Sequence, residues 1–176
     1  MMTAMQNIFG QWLVSLKHYL LMCLLISSPA RLPYNSYLLL PTGLVYFLVG
    51  LLLVNDRNSY ALVCAQITLE LFMLGLISYV GLQARNLLPR LQQTFSALLG
   101  TNAIITLASI PVYRFVASDN ADGNLLIYVT LAIVIWNLAI LSLIFKRSFE
   151  ISTNLSAMIS FSYFFIFQLT VFWLFS

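Results

Sequence analysis

The chain has 176 residues, of which 61% are hydrophobic and only 7% charged, with a net charge of +3 and a mean hydropathy of +0.95. A soluble domain carries about a quarter charged residues, so these few charges could not cover a globule with a polar surface, and lipid is required as the main solvent. The positive balance comes from scarce acids and scattered bases, which excludes a nucleic-acid-binding surface, and five spans of about 20 residues would leave no room for a separate soluble domain.

Residues 1–28 show neither the basic leader nor the small-residue cleavage site of a removable signal; the first basic residue is Lys17. Met5, Ile8, Phe9, Trp12, Leu13, Leu16 and Leu20 recur at three- and four-residue spacing, with Gln6, Asn7, Gln11, Ser15 and His18 on the other side. The pattern predicts an amphipathic helix lying in the membrane interface, because the apolar run after His18 is too short to span. SSPARLPYNS, residues 27–36, breaks the chain with two prolines and several turn formers. Spans are then expected at about 37–54, 60–83, 91–112, 125–145 and 155–175. Pro41 falls in the first turns of the first span, where a missing N–H costs least, and Pro111 is expected to end the third. The predicted fold is therefore all-α, an interfacial helix over 1–28 followed by a five-span transmembrane bundle over 29–176.

Orientation follows from where the bases fall. Lys17, Arg31, Arg85, Arg90, Lys146 and Arg147 share the N-terminal side, whereas Arg57 and Arg114 lie opposite together with Asp56, Asp119 and Asp122. Six bases against two predict a cytoplasmic N-terminus and a C-terminus outside.

The stretch Tyr60–Gln83 is expected to organise the rest, because Glu70 is the only acid inside any apolar run. A carboxylate in hydrocarbon protonates, pairs or faces water. No Lys or Arg lies inside an expected span, so Glu70 is read as protonated or hydrogen-bonded to neutral polar groups. Gln66 sits one turn earlier on the same face. Counted from the outer end, Asn102 and Asn137 fall at matching depth, with Thr106 and Ser109 beside Asn102 and Thr130 beside Asn137. Gln168 and Thr170 lie somewhat nearer the outer surface. A polar layer of Glu70, Gln66, Asn102 and Asn137 through three spans is expected, serving either as interhelical glue or as an intramembrane site.

The third span carries a small-residue seam, Ser96, Gly100 and Ala103, that lets backbones approach closely in lipid. Trp12, Tyr34, Tyr37, Tyr60, Tyr79, Tyr113, Tyr128 and Trp173 read as interfacial anchors, and Trp136 as core. Cys23 and Cys64 stand inside apolar stretches as small hydrophobes, with no disulfide framework and no metal site. No phosphate-cradling glycine loop, HExxH or GxSxG is present, so neither catalytic residues nor a cofactor are expected.

An amphipathic N-terminal stretch, five closely spaced spans and short loops together resemble the Yip-type membrane proteins and their small bacterial relatives. The segment RLQQTFSALLGTNAIITLASIPV, Arg90 to Val112, carries the likeness most. The resemblance implies a five-span fold in the bacterial inner membrane. It assigns no functional residue, and the chain lacks the long cytosolic domain and glycine/tyrosine signatures that go with a trafficking role. The expected function is that of a non-enzymatic accessory or scaffold component, whose partners are the lipid bilayer, other membrane proteins or a second copy of itself. The alternative is a small transporter or channel component with Glu70 as a proton or cation site. A third reading makes residues 4–26 a membrane-surface sensor.

Overall fold

A computed structural model describes residues 2–33, 36–52, 60–116 and 123–175, and the described residues are almost entirely helical. Six helices follow in order: α1 (Met2–Cys23), α2 (Ser36–Leu51), α3 (Tyr60–Ala84), α4 (Leu91–Val116), α5 (Gly123–Phe149) and α6 (Thr153–Phe175). Lipid offers no hydrogen bonds, so long apolar runs satisfy their backbone internally and become helices. Four of these helices, α3 to α6, are long and apolar enough to cross a membrane, as befits a multi-pass membrane protein. Phe72, Ile127, Ile135, Phe161 and Phe165 stand exposed on their outward faces, the surface that hydrocarbon would cover. The expected first span, 37–54, corresponds to α2, whose 16 residues reach only ~24 Å against a hydrocarbon core of ~30 Å; residues 53 and 54 lie outside the described part.

Two boundaries differ from expectation. Pro111 does not end α4, which continues to Val116. Proline frees a single carbonyl, four residues back, and inside a membrane bundle neighbouring groups can absorb that loss. Lys146 and Arg147 do not begin a loop, because α5 runs on to Phe149 and carries both bases in its last turn, where cations favour the helix dipole.

Packing centres on α4 rather than on α3. In α4, 56% of the apolar window is buried, against 22% in α3 and 17% in each of α5 and α6. Its seam explains this. A Cβ on Gly100 would lie 2.6 Å from ring carbons of Tyr19, so α1 rests its tyrosine ring directly on the α4 backbone. The Tyr19 hydroxyl reaches Ser96 Oγ at 2.6 Å and Thr42 Oγ1 at 3.4 Å. Ser15 shares a small cleft with Gln92 and Gln93, while Trp12, three residues earlier, shares an apolar cavity with Ile104 and Leu107, about 20 Å further along α4.

One end of the bundle is tied by arginines. α1, α3 and α5 each finish in a left-handed residue, Leu25, Asn86 and Glu150, at φ of 63°, 56° and 55°. In each case the next N–H reaches back five residues: Ile26 to Leu21 O, Leu87 to Leu82 O and Ile151 to Lys146 O, the Schellman closure. Arg147 donates to the carbonyls of Ile26 and Ser27, and Arg85 to those of Phe149 and Glu150. Arg90 pairs with Glu150 at 2.6 Å. These side chains cap carbonyls that a helix end leaves open. They also bring Arg85, Arg90 and Arg147, three of the bases expected on one side, to a common arginine end.

Candidate functional site

Glu70 belongs to the inward stripe of α3. Val63, Ile67, Leu74, Ser78 and Leu82 are buried at helical spacing, and Glu70 falls between Ile67 and Leu74 on that face. The helix register therefore turns the carboxylate into the bundle and away from the lipid-facing side that Phe72 and Leu76 occupy.

Neighbouring helices meet it there. Asn102 on α4 donates from Nδ2 to Glu70 Oε1 at 3.5 Å, a long hydrogen bond. Tyr46 on α2, 3% exposed, lines the same cavity as the carboxyl and lies close to it. Tyr163 on α6 lies within electrostatic reach of Glu70, and its buried hydroxyl has no hydrogen-bond partner among the described residues. No ion pair to Glu70 is found among the described residues.

The carboxylate faces a cavity of about 360 Å³. Tyr46, Gln66, Glu70, Thr106, Phe167 and Gln168 line it, contributed by α2, α3, α4 and α6. Gly50, Val63 and Val171 also border it, and each lies within about two turns of the helix end remote from the arginines. On the arginine side, Leu74, Leu98, Ile144 and Phe145 are completely buried. The cavity thus lies toward the end of the bundle remote from the arginines, and the packing on the arginine side of Glu70 is closed and largely apolar.

The structure brings three of the four expected residues together. Glu70 and Gln66 share the cavity, and Asn102 touches Glu70. Asn137 is not joined to them by any hydrogen bond among the described residues. Its Oδ1 is buried without a partner on α5, while the adjacent Trp136 donates to the Cys23 carbonyl at 2.9 Å and holds the end of α1. Matching depth on α5 did not suffice, because depth fixes height along the bundle and leaves the helix's rotation open. The seam Ser96, Gly100 and Ala103 serves contacts within the chain. Ser96 and Gly100 receive Tyr19, and Ala103 is buried with Tyr46 and Leu99.

Two features escaped the sequence reading. Tyr46 and Tyr163 complete the surroundings of Glu70, and a signal for them existed: both tyrosines sit mid-run, far from the ends where interfacial anchors belong. A serine row also joins α5 to α6 through Ser142 Oγ and Ser156 Oγ at 3.0 Å, with Ser160 Oγ bonded to the Ser156 carbonyl. Its four-residue spacing, Ser152, Ser156 and Ser160, is visible in the sequence. Among the described residues no three His, Cys, Asp or Glu come together as metal ligands would. No known protein family, no curated protein and no solved structure matches this chain.

Proposed function

We propose that this chain is a non-enzymatic, five-span protein of the bacterial inner membrane that works as a small transporter or channel component, with Glu70 as its proton or cation site. The five-span count takes α2 as a short span, in line with the Yip-type resemblance, and the six-against-two distribution of bases supports a cytoplasmic N-terminus. One observation carries the functional reading. A carboxylate with no base beside it borders a polar-lined cavity deep in the bundle, and intramembrane acids of this kind mark ion and proton pathways.

A second reading has its own support. Asn102 gives Glu70 a neutral hydrogen-bond partner, and Tyr46 is a second neutral polar group beside it, which suits a structural strut in an accessory or scaffold subunit. The two separate in Glu70→Gln, which keeps the hydrogen bonds and removes the titrating group. In proteoliposomes carrying an interior pH dye, an imposed cation gradient should drive proton movement through the native chain and not through Glu70→Gln of equal thermal stability. Equal flux in both, with stability lost only in Glu70→Ala, would establish the strut and refute the transport reading.

A further inference from the structure

The cavity is far too large for a bare metal ion. At about 360 Å³ it has room for about a dozen waters at ~30 Å³ each, and it lies at the lower end of small-molecule sites, which run from about 300 to 1,000 Å³. Its walls combine one carboxylate with aromatic rings, Tyr46 and Phe167, and with neutral oxygen acceptors on Gln66, Thr106 and Gln168. Phe167 is itself stacked on Tyr163 at 6.3 Å between centroids. An acid to balance the charge, aromatic faces to attract it and oxygens to accept N–H donors are the chemistry of an organic ammonium. An anion would find no base there, and a hydrocarbon chain would leave the polar wall unsatisfied.

Charge balance then fixes how such a ligand enters. The titratable groups facing Glu70 are Tyr46 from α2 and Tyr163 from α6; α4 presents neutral Asn102 and Thr106, and α5 has no titratable side chain between Tyr128 and Lys146. Among the described residues no fixed cation faces Glu70, so the site is neutral with either one proton or one monovalent cation on Glu70, and never with both. We propose that the Glu70 cavity binds a small primary organic ammonium in exchange for a proton. On binding, the Glu70 O–H bond breaks and its proton leaves to water. The carboxylate and the ammonium remain as an ion pair, so the charge of the cavity is unchanged. This inference rests on the reading of Glu70 as a proton or cation site.

Calorimetric titration of the full chain in detergent with phenethylammonium tests it, in buffers of different ionisation heat so that proton release is counted. Binding should release about one proton where Glu70 is protonated, and affinity should fall towards tenfold for each pH unit lowered. Glu70→Gln should abolish binding. Phe167→Ala, whose carboxylate is intact, should weaken it about threefold to thirtyfold, which keeps the test decisive if Glu70→Gln fails to fold. Release of a Glu70-dependent proton by sodium or potassium but not by phenethylammonium would overturn the organic-cation assignment and leave the proton-or-cation site standing. If none of these cations releases a proton, both fall. Binding that is unaffected by pH and by Phe167→Ala would also overturn the exchange.

Discussion

Toward the arginine end, the bundle is filled: Leu74, Leu82, Leu98, Ile144 and Phe145 are completely buried, and Gly81 lets the Phe149 ring close onto the α3 backbone. Toward the other end, α2, α3, α4 and α6 part around Glu70 and leave a polar-lined cavity. The contrast shows how stability and function divide along one set of helices. In lipid, burying an apolar side chain gains little from hydrophobic transfer, so the filled half depends on close fit and on capped backbone groups. The open half gives up that fit, and its polar wall is what makes the space a place for water or a polar ligand rather than for hydrocarbon.

Substitutions should therefore separate the halves. The largest effect on stability is expected from Phe145→Ala, which opens a void on the order of 100 Å³ and so costs roughly 2 kcal/mol at ~24 cal/mol per Å³. Phe167→Ala, beside a space that already exists, should lower the detergent melting temperature much less. Similar losses from both would mean that the two halves are packed alike.

Arg147→Ala comes next. Its guanidinium caps the Ile26 and Ser27 carbonyls, a charged hydrogen-bond contribution of about 1.5–3 kcal/mol that holds the end of α1 against α4 and α5. Cys23 reports on that end: its thiol is 3% exposed, and burial pushes its pKa up to about 11. In a Cys64→Ser background, maleimide labelling of Cys23 at mildly alkaline pH should be slow in the native chain and markedly faster in Arg147→Ala. Unchanged labelling would show that α1 is held by Tyr19 and Trp136 alone.

The smallest effect is expected at Arg90–Glu150, whose side chains are 38% and 54% exposed. Solvent screens such a pair, so Glu150→Gln should cost no more than about 1 kcal/mol, less at high salt. A larger loss would mean that the arginine end relies on this pair and not on capped carbonyls.

The sequence made some of this legible and hid the rest for physical reasons. Span 60–83 matches α3 at Tyr60–Ala84 to within a residue, because polar turns bracket one uninterrupted apolar run. The contact between Glu70 and Asn102 could be anticipated from depth, since both fall about ten residues from the outer ends of the expected spans 60–83 and 91–112. The central place of α4 could not be read from its acid content. It follows from Ser96, Gly100, Thr101 and Ala103, small or self-bonded groups that let neighbours approach from several sides. Nor could an amphipathic pattern show what covers α1. Ser15, placed on its polar face, is 1% exposed and satisfied by the Gln11 carbonyl at 2.9 Å, whereas Leu13 and Leu20 are about half exposed. Tyr46 and Tyr163 remained hidden because their role depends on helix rotation.

The central claim is that water reaches the level of Glu70 and stops there. A pair of near-isosteric substitutions tests it most directly, Thr106→Cys in the cavity wall and Ser78→Cys two turns beneath Glu70, each in a chain whose native cysteines are changed to serine. Thr106 lines the cavity and Ser78 is 0% exposed. A membrane-impermeant charged thiol reagent should modify Thr106→Cys when applied from one side of the membrane, and should leave Ser78→Cys unmodified from either side. Equal modification of both positions, or of neither, would contradict a cavity that admits water beside Glu70 and is closed beneath it.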